Sequence, residues 1–224
     1  MSSALQNIRT DLLDMIAIGI TLSGDTIVLV WIAVAMIGAL AYNRQFRLAT
    51  TVLVASVTTT LLVMLIKGWV QRPRPTPDLY PGVEAFSFPS GHATNSAVIY
   101  GILLLLACSH IFGRRHIWLA SVLGALIILI GVSRIYLAAH WPTDVIAGWC
   151  LAVIVLALVS RVIRKQAVIK TRERTVLWIA TAGAIFGLAY GAFNFEKSAK
   201  KYQPRIEIEA TLHEALSPGL ILIG

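Results

Sequence analysis

The sequence predicts an all-α, polytopic membrane protein: six membrane-spanning helices, preceded by an amphipathic helix lying in the interface. Three observations carry this prediction. The 224 residues are 57% hydrophobic and only 13% charged, with a mean hydropathy of +0.77, too apolar for a soluble domain of this size. The apolar residues fall in six runs, each near the roughly twenty residues that a spanning helix needs. The charges that remain gather in short clusters between those runs.

Residues 3–22 set Leu5, Ile8, Leu12, Ile16 and Ile20 at helical spacing, with Arg9, Asp11 and Asp14 off that stripe. This is the pattern of a helix that lies in the interface rather than crossing the bilayer. The same three charges interrupt any clean hydrophobic region, and no cleavage pattern follows, so the segment does not read as a removable signal peptide. After the Ser23-Gly24-Asp25 break, spans are expected at about 25–42, 47–66, 92–110, 117–137, 143–163 and 175–193. No soluble domain, low-complexity segment or internal repeat interrupts them, so 1–193 reads as one membrane domain. The tail, 194–224, has a strand-like alternation at Arg205 to Glu209 and an apolar Leu-Ile-Leu-Ile-Gly end, consistent with a chain cut from a longer one. Its role is unassigned.

Lys and Arg accumulate on the cytoplasmic side of membrane proteins. Arg44 and Arg47 follow the first span, Arg114 and Arg115 the third, and Arg161, Arg164, Lys165, Lys170, Arg172 and Arg174 the fifth, which is ten of the nineteen basic residues. These loops share the inner face. The N-terminus, the 67–91 connection, the 138–142 turn and the tail are then expected outside, which in a bacterium means the periplasmic face of the inner (plasma) membrane. The same topology accounts for the net charge of +8. Nucleic acid is excluded as a partner because no basic groove lined by aromatics accompanies the charge. Cys108 and Cys150 sit in apolar runs without metal-ligand spacing and read as buried small hydrophobes.

Ionisable residues at the edge of apolar segments are costly and need a reason. Ser133 to Asp144 reads Ser-Arg-Ile-Tyr-Leu-Ala-Ala-His-Trp-Pro-Thr-Asp. Pro142 suits the first turn of a helix, and Asp144 lies four residues after His140, so a helix starting here can bring the carboxylate to the imidazole. A carboxylate holding one ring nitrogen protonated leaves the other as a lone pair, which makes an oriented nucleophile or base. The proline-rich loop 67–91 contributes Lys67, Arg72 and Arg74, and its Pro89-Ser90-Gly91-His92 end leads into the third span. Ser90 can cap that helix, whose first amides would face a bound anion.

Each cluster alone has a plainer reading. Lys67 and Arg74 could be interfacial snorkelling cations, Pro-Ser-Gly-His a capped helix start, and His140 with Asp144 a structural ion pair. Arg72 is either a basic loop residue or a phosphate contact. His110, His116 and His213 lack partners at sensible spacing. The topology nevertheless brings Lys67, Arg74, Ser90, His92, Arg134, His140 and Asp144 to one membrane face, where three cations, helix-start amides and a hydroxyl fit a tetrahedral oxyanion. Two histidines with different neighbours could divide the chemistry, His140 attacking phosphorus and His92 protonating the leaving oxygen.

The three clusters, Lys-x6-Arg-Pro at Lys67, Arg74 and Pro75, Pro-Ser-Gly-His at 89–92, and Ser-Arg-x5-His-x3-Asp at Ser133, Arg134, His140 and Asp144, resemble the signature of the type 2 phosphatidic acid phosphatase family. That family shares its phosphate-binding core with vanadium-dependent haloperoxidases and membrane glucose-6-phosphatases. The match covers residues 67–144 directly, and the six-span layout extends it over most of the rest except the tail. The resemblance implies a metal-independent lipid phosphatase without a cofactor. His140 would be the nucleophile, Asp144 its orienting partner and His92 the general acid. Lys67, Arg74, Arg134, Ser90 and the Gly91 amide would hold the phosphoryl oxygens. The expected partners are the bilayer and a lipid phosphate, with undecaprenyl diphosphate foremost and phosphatidylglycerol phosphate, phosphatidate or a lipid A phosphate as alternatives. A haloperoxidase, a soluble sugar-phosphate hydrolase and a non-catalytic transporter or scaffold are weaker readings. Six spans argue against the first, the second family usually has more spans, and the third is hard to square with a filled signature.

Overall fold

The computed structural model describes residues 9–76, 81–108, 114–165 and 173–202, and among these every regular element is helical. In chain order they are α1 (Asp11–Leu22), α2 (Thr26–Tyr42), α3 (Phe46–Val70), a short 3₁₀ turn (Gly82–Ala85), α4 (Gly91–Cys108), α5 (Arg114–Tyr136), α6 (Pro142–Lys165) and α7 (Glu173–Tyr202). Among the described residues four stretches are long and apolar enough to cross a membrane: Asp11–Tyr42 taken across its turn, Phe46–Val70, Ile117–Tyr136 and Pro142–Lys165. Gly91–Ala107 is a shorter apolar helix.

The centre of the bundle is α4, which packs against α2, α3, α5, α6 and α7. Ala93, Thr94, Ser96, Ala97, Val98, Ile102, Leu103 and Ala107 are all buried, so this helix is enclosed on every side. Its buried hydroxyls are satisfied locally, Thr94 Oγ1 donating to the Ser90 carbonyl at 2.8 Å. The outer helices instead expose large apolar side chains: Trp31 and Val34 on α2, Leu61 and Leu65 on α3, Val153 and Ile154 on α6. Such continuous apolar surface suits a lipid solvent.

Several sequence boundaries move. Helix α3 runs to Val70, a turn beyond the expected end of its span, so Lys67 is a helical residue. Helix α7 continues to Tyr202, so the first nine residues of the expected tail are helical; the rest, including Arg205 to Glu209 and His213, lie outside the described residues. So do residues 3–8, and the described N-terminal helix begins at Asp11, capped by Thr10 Oγ1 accepting from the Leu13 N–H. On α1, Leu12 and Ile16 are exposed while Ala17, Ile18, Thr21 and Leu22 are buried against α5 and α7. Cys150 is exposed rather than buried. It shares a helical face with exposed Ile146, Val153 and Ile154, where a small hydrophobe meets lipid instead of core. The Cys108 and His116 side chains and His110 are outside the described residues.

The helix ends sort by charge. Arg47 at the start of α3 and Lys165 at the end of α6 line one shallow cavity. The polar clusters of the loop 67–91 and the 137–141 turn gather at the opposite end.

Candidate active site

Three helix termini and one loop converge at that end. Helix α5 stops because Ala138 takes a left-handed conformation (φ 51°), and the Arg134 carbonyl then accepts from both the Ala139 N–H (3.0 Å) and the His140 N–H (3.1 Å). This turn throws the chain back on itself and ties the backbone of His140 to Arg134. Pro142 then opens α6 as its first residue. Asp144, in that first turn, reaches back so that Oδ2 accepts from the Trp141 N–H at 2.9 Å, the return half of a capping box.

Helices α4 and α6 meet very closely beneath these residues. A Cβ on Gly148 would lie 2.7 Å from Thr94 Oγ1 and 3.1 Å from the Ser90 carbonyl oxygen, so only glycine permits this approach. The contact lets the Ser90 N–H donate to the Asp144 carbonyl at 3.0 Å, joining the start of α4 to the start of α6. Ser90 is fully buried, with Oγ 3.4 Å from the Ala93 N–H in the capping position. Gly91 and His92 open α4 and are partly buried. His92 is close enough to Arg134, His140 and Arg74 to feel their charges.

His140 is buried, with its ring held between a carboxylate and a guanidinium. Nδ1 stands 3.6 Å from Asp144 Oδ2, a charge contact longer than a hydrogen bond, while Nε2 is 3.0 Å from Arg74 Nη1. An arginine can only donate, so Nε2 accepts and carries the lone pair, and the proton of a neutral ring sits on Nδ1 facing Asp144. Burial, then the positive charges of Arg134, Arg74 and Lys67, hold this imidazole well below the ordinary histidine range.

The cations come from two directions. Arg134 is fully buried, and its Nη1 donates to Thr21 Oγ1 (2.9 Å) and to the Tyr202 hydroxyl (2.7 Å). Lys67 is also fully buried, with Nζ on Glu84 Oε2 and the Phe86 carbonyl, both at 2.9 Å. Arg74 donates to the carbonyls of Glu84 (2.6 Å from Nη2) and Ala139 (2.6 Å from Nη1). The loop is thus folded down over the helix ends by its own cations.

All eight residues singled out by sequence share this end of the bundle, and direct contacts link Lys67 to Arg74 through Glu84, Arg74 to His140, and Asp144 to Ser90. Arg72, read from sequence as either a basic loop residue or a phosphate contact, is engaged with the start of α6. Its Nη1 donates to Asp144 Oδ1 at 2.8 Å and to Thr143 Oγ1 at 2.6 Å, and the guanidinium lies 5.5 Å from the Trp141 ring centroid. Four participants escaped sequence reasoning: Glu84, Thr21, Tyr202 and Arg72 in its role on Asp144. Nothing in local spacing marks the first three: Thr21 and Tyr202 reach the site from distant elements, and Glu84 sits in the irregular loop.

A histidine buried among three cations, at one end of an apolar helical bundle, is suited to receive a phosphoryl group. The family follows from comparison with known proteins. A model described as PAP2 superfamily matches residues 44–167, and the chain belongs to that superfamily. Phosphatidylglycerophosphatase B of Bacillus subtilis is 32% identical over 71% of this chain and 80% of its own. An undecaprenyl-diphosphatase of Sulfolobus acidocaldarius is 33% identical over 54% of this chain and 58% of its own. Among solved structures, the transmembrane PAP2-type phosphatidylglycerolphosphate phosphatase of Bacillus subtilis superposes with a TM-score of 0.65 at 29% identity, covering 76% of this chain and 85% of that one. Aquifex aeolicus LpxE gives 0.53 at 26% identity, covering 70% and 91%.

Proposed function

We propose that the protein hydrolyses a lipid phosphate at the outer face of the plasma membrane through a phosphohistidine, with undecaprenyl diphosphate as the foremost substrate. The observation that carries this reading is the contact of His140 Nε2 with Arg74 Nη1, which can only donate, at 3.0 Å. The ring's lone pair is then on Nε2, the nitrogen that faces the cations, and its N–H is on the side of Asp144.

The steps balance without a metal. Nε2 of His140 attacks phosphorus, the bond from phosphorus to the leaving oxygen breaks, and His92 gives that oxygen a proton. Water then attacks the phosphohistidine, yielding a proton to His92 as the P–N bond breaks and inorganic phosphate leaves. Lys67, Arg74 and Arg134, with Ser90 and the Gly91 amide, hold the phosphoryl oxygens, where fixed donors act most strongly on charge that develops in the transition state. Arg72 and the Trp141 N–H hold the Asp144 carboxylate toward the ring.

Six spans, with α1 lying in the interface, put this site outside and the arginine-rich loops inside. The positive-inside bias supports that orientation. A second substrate, phosphatidylglycerol phosphate, is favoured by the breadth of the match to the Bacillus subtilis phosphatase.

The test is phosphate release by detergent-purified protein with chelator present, over undecaprenyl diphosphate, phosphatidylglycerol phosphate, phosphatidate and a short soluble phosphate ester. Release that falls by at least ~10³-fold in His140→Ala is the expected result. The rank order of rates names the lipid. No release from any lipid by folded protein would overturn the reading.

A further inference from the structure

The family match ends at residues 44 and 167, yet two side chains outside it hold a residue inside it. Thr21 is in the last turn of α1, and Tyr202 is the last residue of α7. Both are buried, and both take a hydrogen bond from Nη1 of Arg134, at 2.9 and 2.7 Å. The Tyr202 ring also lies under the guanidinium, 5.5 Å from its carbon.

Tyr202 is itself braced. Its carbonyl accepts from Arg9 Nη2 at 2.7 Å, and Arg9 grips Asp14 through Nε and Nη2. Asp14 in turn accepts from the hydroxyl of Tyr136, two residues beyond Arg134 on α5. Around this chain pack Ala17, Ile18, Leu22, Leu137 and Ala139, so α1, α7 and the end of α5 form one small satellite core.

An arginine side chain is long and its rotamer freedom is large, but its planar fork has one direction once a single nitrogen is fixed. Two hydroxyls on Nη1 and a ring beneath fix that plane, and with it the direction of the remaining N–H groups. We propose that Thr21 and Tyr202 are positioning residues that aim Arg134 at the phosphoryl group, making α1 and the end of α7 working parts of the phosphate site. The proposal rests on the role given to Arg134 above.

Tyr202→Phe removes one hydroxyl and keeps the ring; Thr21→Val removes the other and keeps the shape. Each is expected to weaken inhibition by orthovanadate and by inorganic phosphate about tenfold, since a charge-assisted hydrogen bond is lost. KM should rise with them while the thermal midpoint stays near wild type. In an Arg134→Ala background neither substitution should weaken binding further, because the partner they act through is gone. Tyr190→Phe, which loses a hydrogen bond from the same α7 to Asp25, is the control and should leave both inhibition constants unchanged.

Wild-type inhibition constants in both variants would overturn the proposal, as would equal weakening in Tyr190→Phe or full additivity with Arg134→Ala. If one variant lowers the midpoint, the other carries the same test. Orthovanadate binding is also readable by calorimetry in protein that releases no phosphate. Failure of the proposed activity is therefore distinguishable from failure of this inference.

Discussion

The site has two walls that are built differently. The helical wall, made of the start of α4, the end of α5 and the start of α6, places its groups by backbone geometry: caps, a left-handed turn at Ala138 and a glycine contact. The loop wall, residues 71–76 and 81–89, is held by side-chain bonds: Arg74 to the Glu84 and Ala139 carbonyls, Arg72 to Asp144, and Lys67 of α3 to the Glu84 carboxylate and the Phe86 carbonyl. Position on the first wall is set by helix packing, which side chains cannot adjust. On the second it is set by polar contacts that a bound anion can compete for. The difference says where the site is rigid and where it can rearrange.

The largest expected effect comes from breaking the rigid wall. In Gly148→Val the new Cβ meets Thr94 Oγ1 at 2.7 Å and, more seriously, the Ser90 carbonyl at 3.1 Å, which belongs to backbone and cannot swing away. Overpacking of this kind costs about 1–3 kcal/mol. Because the same shift moves the start of α4 from Asp144, a displacement near 1 Å should also cost about 10²-fold in kcat/KM. A thermal melt and a rate measurement on the one variant check both. A fall in midpoint with normal kcat/KM would mean that α4 and α6 need not meet closely for function.

The two walls also differ in how legible they were. His92, Arg134, His140 and Asp144 were readable because helix geometry is periodic, so Pro142 at a first turn and a spacing of four suffice to bring Asp144 to His140. Ser90 was readable as a cap for the same reason. On the loop wall, the proline-rich composition announced an ordered loop, but nothing periodic says that Arg72 turns to Asp144 while Arg74 turns to His140. Glu84, one of two carboxylates in a loop of cations, gave no signal. Thr21 and Tyr202 were invisible because their partner is 113 and 68 residues away. The extra turn on α3 and the continuation of α7 show the limit of hydropathy, which marks where lipid ends and not where a helix does.

A smaller effect joins both walls. His140 belongs to the rigid turn, but of the charges that depress its pKa, Arg74 belongs to the loop wall and Lys67, on α3, is bonded to that wall through Glu84. The folded chain binds this proton more weakly than the unfolded chain. The resulting stability is present in full above about pH 6.5 and is lost as pH falls from there toward the folded pKa. The same shift keeps the proposed nucleophile neutral, so the acid limb of kcat/KM should lie below pH 6.5. A pH–rate profile checks this. An acid limb at or above 6.5 would mean that His140 is better solvated, or less surrounded by cations, than its burial implies.

The smallest expected effect tests the adjustable wall directly. The Glu84 carboxylate stands 2.9 Å from Lys67 Nζ and 3.9 Å from Arg74 Nη2, touching two of the groups proposed to hold phosphate. Its side chain is 47% exposed, so it works in a high-dielectric setting and a surface ion pair is a modest attachment. A second anion at the cations must either displace this carboxylate or sit beside it, and two unit charges about 4 Å apart in water repel by roughly 1 kcal/mol. Glu84→Gln keeps the shape and removes the charge, so orthovanadate and inorganic phosphate should inhibit about fivefold more tightly, with little change in thermal midpoint. Weaker inhibition would show instead that Glu84 holds Lys67 in its working position, and that the loop wall is as fixed as the helical one.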